Sequence, residues 1–224
     1  MKKHIVCFGD SNTHGYCADP NDCADPCACP ECGYRFNESE RWTMLLKDLL
    51  GSDFHVIEEG LCGRTTVFDD PSGEGLSGMD SIVPCLMSHQ PVDLLIIMLG
   101  TNDTKERFSL SPKCIASGME RLVCKAKSLP VWKAEPNILV IAPPHIKEGI
   151  RNHVFYSSMG NDSIAKSSQL APLYKELCIK HNCAFLDAEG VAEFNEVDCM
   201  HFSKNGHSQL AHTLAPLINN LIHH

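Results

Sequence analysis

Residues 93–103 read Asp-Leu-Leu-Ile-Ile-Met-Leu-Gly-Thr-Asn-Asp. An apolar run this short that ends at a glycine is typical of a strand covered on both faces within a parallel sheet. We therefore expect residues 94–98 to form a central strand. The polar residues that follow it are candidates for a ligand site, because open parallel sheets bind ligands beyond the carboxyl ends of their strands.

The same kind of segment recurs along the chain. Short apolar, β-leaning runs occupy residues 4–8, 55–57, 138–141 and 184–186. Segments with helical spacing occupy residues 38–50, 76–88, 112–128, 164–181 and 204–221. This alternation predicts a parallel sheet of five strands with helices on both faces. Residues 17–36 and 143–162 have no clear periodicity, and we expect functional, lid-like loops there.

Composition limits the class of protein. The chain has 224 residues, of which 43% are hydrophobic and 21% charged, and this suits one domain over residues 1–224. A formal net charge of −9 argues against nucleic acid or an anionic membrane as a partner. The first apolar run is too short for a signal peptide, and no run is long enough for a membrane span. We expect a cytoplasmic protein that acts on small molecules.

A serine and a distant acid–base pair have the spacing of a nucleophilic site. The first predicted strand ends in Gly9-Asp10-Ser11-Asn12, a tight turn that exposes a serine hydroxyl. That hydroxyl becomes nucleophilic only when a base accepts its proton. Asp198 and His201 follow the fifth strand, three residues apart, so Asp198 can orient one ring nitrogen while the other contacts Ser11. The pattern predicts a catalytic triad of Ser11, Asp198 and His201.

Acyl transfer also needs donors for the negative oxygen of its transition state. The backbone N–H groups of Ser11 and Gly63 and the side-chain amide of Asn102 are expected to supply them. Each motif alone has an ordinary explanation as a turn, a helix cap or a surface pair. Their occurrence together, at successive strand ends, favours an esterase that works through an acyl-enzyme on Ser11.

These motifs also resemble those of a known superfamily. Gly9-Asp10-Ser11-Asn12-Thr13, Gly63, Gly100-Thr101-Asn102-Asp103 and Asp198-x-x-His201 resemble the successive blocks of the SGNH (GDSL-type) lipolytic hydrolases. Residues 40–42, 56–61, 64–66, 69–71 and 96–105 resemble, more narrowly, the bacterial arylesterase and acyltransferase branch.

The resemblance implies a three-layer α/β/α sandwich with a parallel, flavodoxin-like sheet of five strands. It implies the same triad, an oxyanion hole of Ser11, Gly63 and Asn102, and short-chain acyl or aryl esters as substrates. It further implies water or an alcohol as acceptor, assembly into homo-oligomers, and catalysis without a cofactor. A carbohydrate acetyl esterase with the same triad is the nearest alternative.

Other residues are candidates for the substrate pocket, which is expected to be mostly apolar. They are Trp42, Phe68, Phe108 and Phe155.

The cysteine-rich segment at residues 17–36 is an insertion that the resemblance does not explain. Four of its cysteines have a density that suits a structural zinc site. They are Cys27, Cys29 and Cys32, with Cys23 or, as an alternative, Cys17 as the fourth. An unliganded loop and adventitious disulfides are the alternatives, and disulfides are uncommon in a reducing compartment. A different class of function also follows from this segment, namely a metal-binding or redox-sensing protein with a vestigial triad.

Overall fold

The computed structural model describes residues 2–24, 27–29 and 33–223, with the backbone alone at residues 27–29 and 223. The strands of this part of the chain are β1 (Lys3–Gly9), β2 (Tyr16–Cys17), β3 (Cys27–Cys29), β4 (Gly33–Arg35), β5 (Phe54–Gly60), β6 (Leu94–Met98), β7 (Ile138–Ala142) and β8 (Ala184–Asp187). Its α-helices are α1 (Ser11–His14), α2 (Trp42–Leu50), α3 (Gly78–Ser88), α4 (Pro112–Lys127), α5 (Tyr156–Met159), α6 (Ser163–Ser167), α7 (Leu170–His181) and α8 (Lys204–His223). Short 3-10 turns span Asn102–Thr104, Glu106–Phe108, Glu148–Asn152 and Ala188–Gly190.

The main sheet has the strand order β5-β1-β6-β7-β8, and every pairing in it is parallel. Strand β6 is the middle strand, and all five of its residues are buried. Its side chains alternate between two cores, because successive residues of a strand point to opposite faces. Ile96 packs in one core with helices α2 and α8, and Ile97 packs in the other with α3, α4 and α7. This confirms the predicted three-layer sandwich.

All five predicted strands of this sheet are present, but two predicted helices differ. The helix expected at residues 164–181 is two helices, α6 and α7, with Pro172 in the first turn of α7. Proline has no N–H to donate back into a continuous helix, so the helix restarts there. The helix expected from residue 38 begins at Trp42, because the Asn37 side chain accepts hydrogen bonds from the N–H and hydroxyl of Ser39 in a local turn.

The predicted loop at residues 17–36 contains regular structure. Strands β2, β4 and β3 pair antiparallel into a small second sheet, with Tyr16 opposite Arg35. Strands of two or three residues are too short to produce a readable periodicity. The other predicted loop, at residues 143–162, carries the turn Glu148–Asn152 and helix α5. No helix in the described part of the chain is long and apolar enough to cross a membrane.

Candidate active site

Ser11 lies at the carboxyl end of β1, as the first residue of helix α1. Asp10 caps that helix, and its carboxylate accepts the N–H of Asn12 at 3.0 Å. The turn packs directly on the end of β5, where a Cβ added to Gly60 would lie 2.1 Å from the backbone nitrogen of His14. Glycine at this position therefore lets the nucleophile turn approach the sheet edge.

The structure brings the three predicted triad residues together. Nε2 of His201 lies 2.8 Å from Oγ of Ser11, and Nδ1 of His201 lies 2.6 Å from Oδ2 of Asp198. Ser11 is 8% exposed, His201 3% and Asp198 fully buried. Burial alone would raise the pKa of Asp198, but the adjacent His201 ring and hydrogen bonds to the carboxylate hold that pKa well below its usual range. Asp198 is therefore positioned as a permanent anion against His201.

Asn195 organises the loop that carries both partners, and the sequence patterns did not single it out. Its side-chain amide donates to Oδ1 of Asp198 and to the backbone oxygen of His201, both at 2.8 Å. Its oxygen accepts the N–H groups of Val197 and Asp198. An Asx turn of this kind is local, and the distance from Asn195 to Asp198 is only three residues. That spacing is the signal that could have identified it.

The three predicted oxyanion donors line one cavity with His201. They are Ser11, Gly63 and Asn102. Gly63 has φ 86°, a left-handed conformation that glycine adopts without strain. The side-chain amide of Asn102 donates to the backbone oxygen of Arg64 at 3.1 Å, which ties the Asn102 turn to the Gly63 loop.

Asp103, which follows Asn102, also connects the Asn102 turn to the segment after Gly63. Its carboxylate accepts the backbone N–H and the hydroxyl of Thr66, at 3.0 and 2.5 Å. Burial raises the pKa of Asp103 to about 6, although the hydrogen bonds from Thr66 oppose that rise. These contacts fix the spacing between the Gly63 loop and Asn102, so Asp103 is a positioning residue for the predicted oxyanion hole.

The cavity at the site has a volume of about 540 Å³. Its apolar lining comes from Tyr16, Val154, Phe155, Met159 and Met200. Its polar lining, besides Ser11, His201 and Asn102, includes Lys105, His153 and Ser158. A small pocket that combines apolar side chains with several polar groups suits a small ester.

The structure places only one of the four predicted pocket aromatics, Phe155, at this cavity. Trp42 is fully buried in the core on one side of the sheet, where its indole N–H donates to the backbone oxygen of Asn12. Phe68 packs towards Gly118 of α4, and Phe108 lies beside the Arg107 guanidinium. Trp42, Phe68 and Phe108 therefore do not line this cavity, because their side chains are packed against other parts of the fold.

Tyr16 is a pocket residue that sequence reasoning missed. It belongs to the small antiparallel sheet, and its ring centroid lies 4.4 Å from that of His201. Tyr16 pairs with Arg35 of the cysteine-rich insertion, so the small sheet that the insertion completes holds an aromatic ring directly beside the imidazole. A single aromatic residue in an aperiodic segment carries no pattern that would indicate this.

The predicted zinc ligands lie mostly outside the described side chains. Cys32 is outside the described residues, and only the backbone is described at Cys27 and Cys29. Cys23 is buried, and its thiol donates to a carboxylate oxygen of Glu40 at 2.9 Å. A structural zinc at this set stays a prediction.

Comparisons with known proteins agree with this geometry. The model of the GDSL-like lipase/acylhydrolase family matches residues 7–209. The solved structure of an M. smegmatis aryl esterase is 36% identical, with a TM-score of 0.86, and the match covers 98% of this chain and 99% of that one. A carbohydrate acetylesterase from Sinorhizobium meliloti is 34% identical, with a TM-score of 0.86 and coverage of 98% and 100%. A search of curated proteins gave no match. The chain therefore belongs to the GDSL-like lipase/acylhydrolase family and is a serine ester hydrolase.

Proposed function

We propose that the chain hydrolyses short-chain acyl and aryl esters through an acyl-enzyme on Ser11. The observation that carries this proposal is the continuous contact from Asp198 through His201 to Ser11, at 2.6 and 2.8 Å. A base within hydrogen-bond reach of the nucleophile, itself oriented by a carboxylate, is the arrangement that activates a serine. The same geometry disfavours a vestigial triad, because all three groups are in contact.

The reaction proceeds in two halves. As Ser11 Oγ attacks the ester carbonyl, Nε2 of His201 takes its proton, and Asp198 stabilises the imidazolium. The N–H groups of Ser11 and Gly63 and the amide of Asn102 stabilise the negative oxygen. The alcohol leaves with the proton from His201, and water then attacks the acyl-enzyme with His201 again as base.

The cavity supports small substrates. Its volume of about 540 Å³ is shared between the acyl group and the leaving group. Apolar side chains at Phe155, Met159 and Met200 suit an aryl leaving group or a short acyl chain. They also suit an acceptor alcohol, so we propose that acyl transfer competes with hydrolysis. The check is the ratio of new ester to free acid when a primary alcohol is added at increasing concentration.

Replacing the nucleophile tests the proposal. Ser11→Ala should lower kcat on p-nitrophenyl acetate by about 10⁴-fold or more, because the acyl-enzyme cannot form. Ser117→Ala is the matched control, since Ser117 is exposed on α4 and its hydroxyl donates only to Lys113 of its own helix. Far-UV circular dichroism checks that both variants fold. Undiminished turnover in folded Ser11→Ala would refute the assignment.

A second candidate, carbohydrate acetyl esterase, is favoured by the polar side of the cavity. Lys105, His153 and Ser158 line the same space and offer groups that bind sugar hydroxyls. One of the similar structures is a carbohydrate acetylesterase. The two candidates separate by kcat/KM on acetylated monosaccharides against aryl acetates with the same acyl group. A preference for sugars that Lys105→Met and Ser158→Ala reduce, without loss on aryl acetates, would favour the carbohydrate substrate.

A further inference from the structure

Three side chains that the proposed reaction does not use meet between the sheet and helix α3. They are Glu59, Cys85 and His89. One ligating atom from each lies within 4.8 Å of the other two. Glu59 and His89 are partly buried, and Cys85 is buried at the edge of the core. Oε1 of Glu59 and Nε2 of His89 are 2.8 Å apart, and both side chains are 29% exposed. An ion could therefore reach them from solvent.

The local structure explains why the three residues meet. Cys85 and His89 are four residues apart at the end of α3, so they lie on the same side of the helix, one turn apart. Glu59 is the residue before the last in β5, and it lies opposite Phe8 of β1 in the sheet. Two different elements thus present a sulfur, a nitrogen and an oxygen to one point.

We propose that Glu59, Cys85 and His89 form a binding site for a divalent transition metal, with zinc as the best match. Zinc binds thiolate, imidazole and carboxylate ligands, commonly with three protein ligands and a water. On binding, the thiol of Cys85 releases its proton to solvent, and the unprotonated Nε2 of His89 donates its lone pair. The metal keeps its oxidation state throughout.

The distances require only a small adjustment. Two ligands of a tetrahedral zinc at ~2.0–2.2 Å lie roughly 3.3 Å apart. Oε1 of Glu59 and Nε2 of His89 are 2.8 Å apart, so these two atoms must separate by a few tenths of an ångström. The Cys85 sulfur lies within 4.8 Å of both atoms and must move closer to them. Side-chain rotation at a partly exposed glutamate and histidine can supply such shifts.

The site adjoins the segment that positions Ser11. The Arg64 guanidinium donates to the backbone oxygens of Gly9 and Glu59, so it connects the proposed ligand Glu59 to the residue two before the nucleophile. A metal held by Glu59 and α3 would stabilise this sheet edge. We expect added zinc to raise the melting temperature of the full chain, because a ligand that binds the folded state stabilises it.

Cobalt provides a direct test that is independent of ester turnover. Co²⁺ added to the full chain should give a near-ultraviolet thiolate-to-metal absorption band together with visible bands. Because the cysteine-rich insertion could also bind Co²⁺, the experiment is done in a Cys27→Ser, Cys29→Ser, Cys32→Ser background. We expect about one equivalent to bind there, and zinc to displace it.

Single variants in that background identify the ligands. Cys85→Ser should abolish the thiolate band, and His89→Gln should weaken binding by about tenfold or more, as expected when one ligand is lost. Cys178→Ser is the matched control, because Cys178 is buried in the same apolar core as Cys85 and should leave the band unchanged. A band that persists in Cys85→Ser, or no band in the background protein, would overturn the proposal. If Cys85→Ser does not fold, unweakened binding by His89→Gln, whose side chain is partly exposed, overturns it instead.

Discussion

Two histidines six residues apart are both buried, yet their surroundings differ in the feature that matters for chemistry. His201 has a carboxylate on one ring nitrogen and the Ser11 hydroxyl on the other. His207, on α8, accepts the backbone N–H of Trp42 through Nδ1 at 3.2 Å and packs edge-on against Phe36 and Phe202.

Burial lowers the pKa of His207 to about 3, with the charges of His201 and Arg41 adding to the effect. His207 is therefore a neutral packing residue at physiological pH. Burial by itself does not make a histidine a base, because it disfavours the charged form that proton transfer requires. In the proposed mechanism, the buried carboxylate of Asp198 stabilises the imidazolium that forms on His201.

The largest expected difference in kcat is between two single variants, one at His201 and one at His207. His201→Ala should reduce kcat by about 10⁶-fold, since loss of the base is as damaging as loss of the whole triad. His207→Asn should keep kcat within about threefold, because an asparagine oxygen replaces Nδ1 as the acceptor for Trp42. Steady-state kinetics on p-nitrophenyl acetate measures both. Comparable losses in two folded variants would remove the distinction drawn between these residues.

A variant of Asp198 tests whether the carboxylate partner is what distinguishes His201 from His207. Asp198→Asn keeps the size of the side chain but removes its charge, so His201 loses its imidazolium partner and its fixed tautomer. We expect kcat to fall by about 10⁴-fold, with KM nearly unchanged. Asn205→Asp, an exposed change in the first turn of α8, is a control for altered charge near the loop. A loss below tenfold in Asp198→Asn would mean that orientation by the carboxylate contributes little.

The fold could be predicted from the chain because its signals are local and strong. The run at residues 94–98 is apolar throughout, and only a strand with helices on both faces buries every residue of such a run. The small antiparallel sheet could not be predicted, since β2 has two residues and its pairing with β4 spans an aperiodic segment.

The residues of the site also fall into those that the sequence predicts and those that it does not. Ser11, Asn102 and His201 follow strand ends, and parallel strands bring their carboxyl ends to one edge of the sheet. Pocket residues depend on tertiary packing instead. Trp42 is aromatic and close to the motifs in sequence, yet helix α2 directs it into the core, whereas Tyr16 reaches His201 through a sheet without a sequence signature.

Replacing Asn195 should lower kcat by less than replacing His201 or Asp198. Asn195 contacts the loop that carries both residues but does not contact the predicted reacting atoms. Asn195→Ala removes donors to Asp198 and to the backbone of His201. Hydrogen bonds to charged groups contribute about 1.5–3 kcal/mol, so we expect kcat to fall by roughly 10- to 100-fold with KM nearly unchanged.

A readout besides rate distinguishes positioning from general destabilisation in Asn195→Ala. If Asn195 positions Asp198 and His201, the pH profile of kcat should shift, and Asn195→Asp should not restore the rate, because its carboxylate would place a second negative charge where the amide donates to Oδ1 of Asp198. A lower melting temperature with an unchanged kcat and pH profile would show a structural role alone.

The smallest expected effect is on the unfolding free energy. It measures how much stability the protein loses at low pH because His207 stays neutral in the fold. Its pKa falls from 6.5 to about 3 on folding, so below pH 6.5 the unfolded chain binds a proton that the folded chain does not. The native protein should therefore lose about 1 kcal/mol of unfolding free energy through this group between pH 6.5 and pH 5.5. His207→Asn cannot titrate, so its unfolding free energy should be lower overall but should decline less over that interval. Urea unfolding of both proteins at the two pH values measures the difference, in which Asp103 and the other titrating groups cancel. Equal declines would indicate that the His207 ring gains its proton within the fold, and the contrast with His201 would then rest on hydrogen-bond partners rather than on charge.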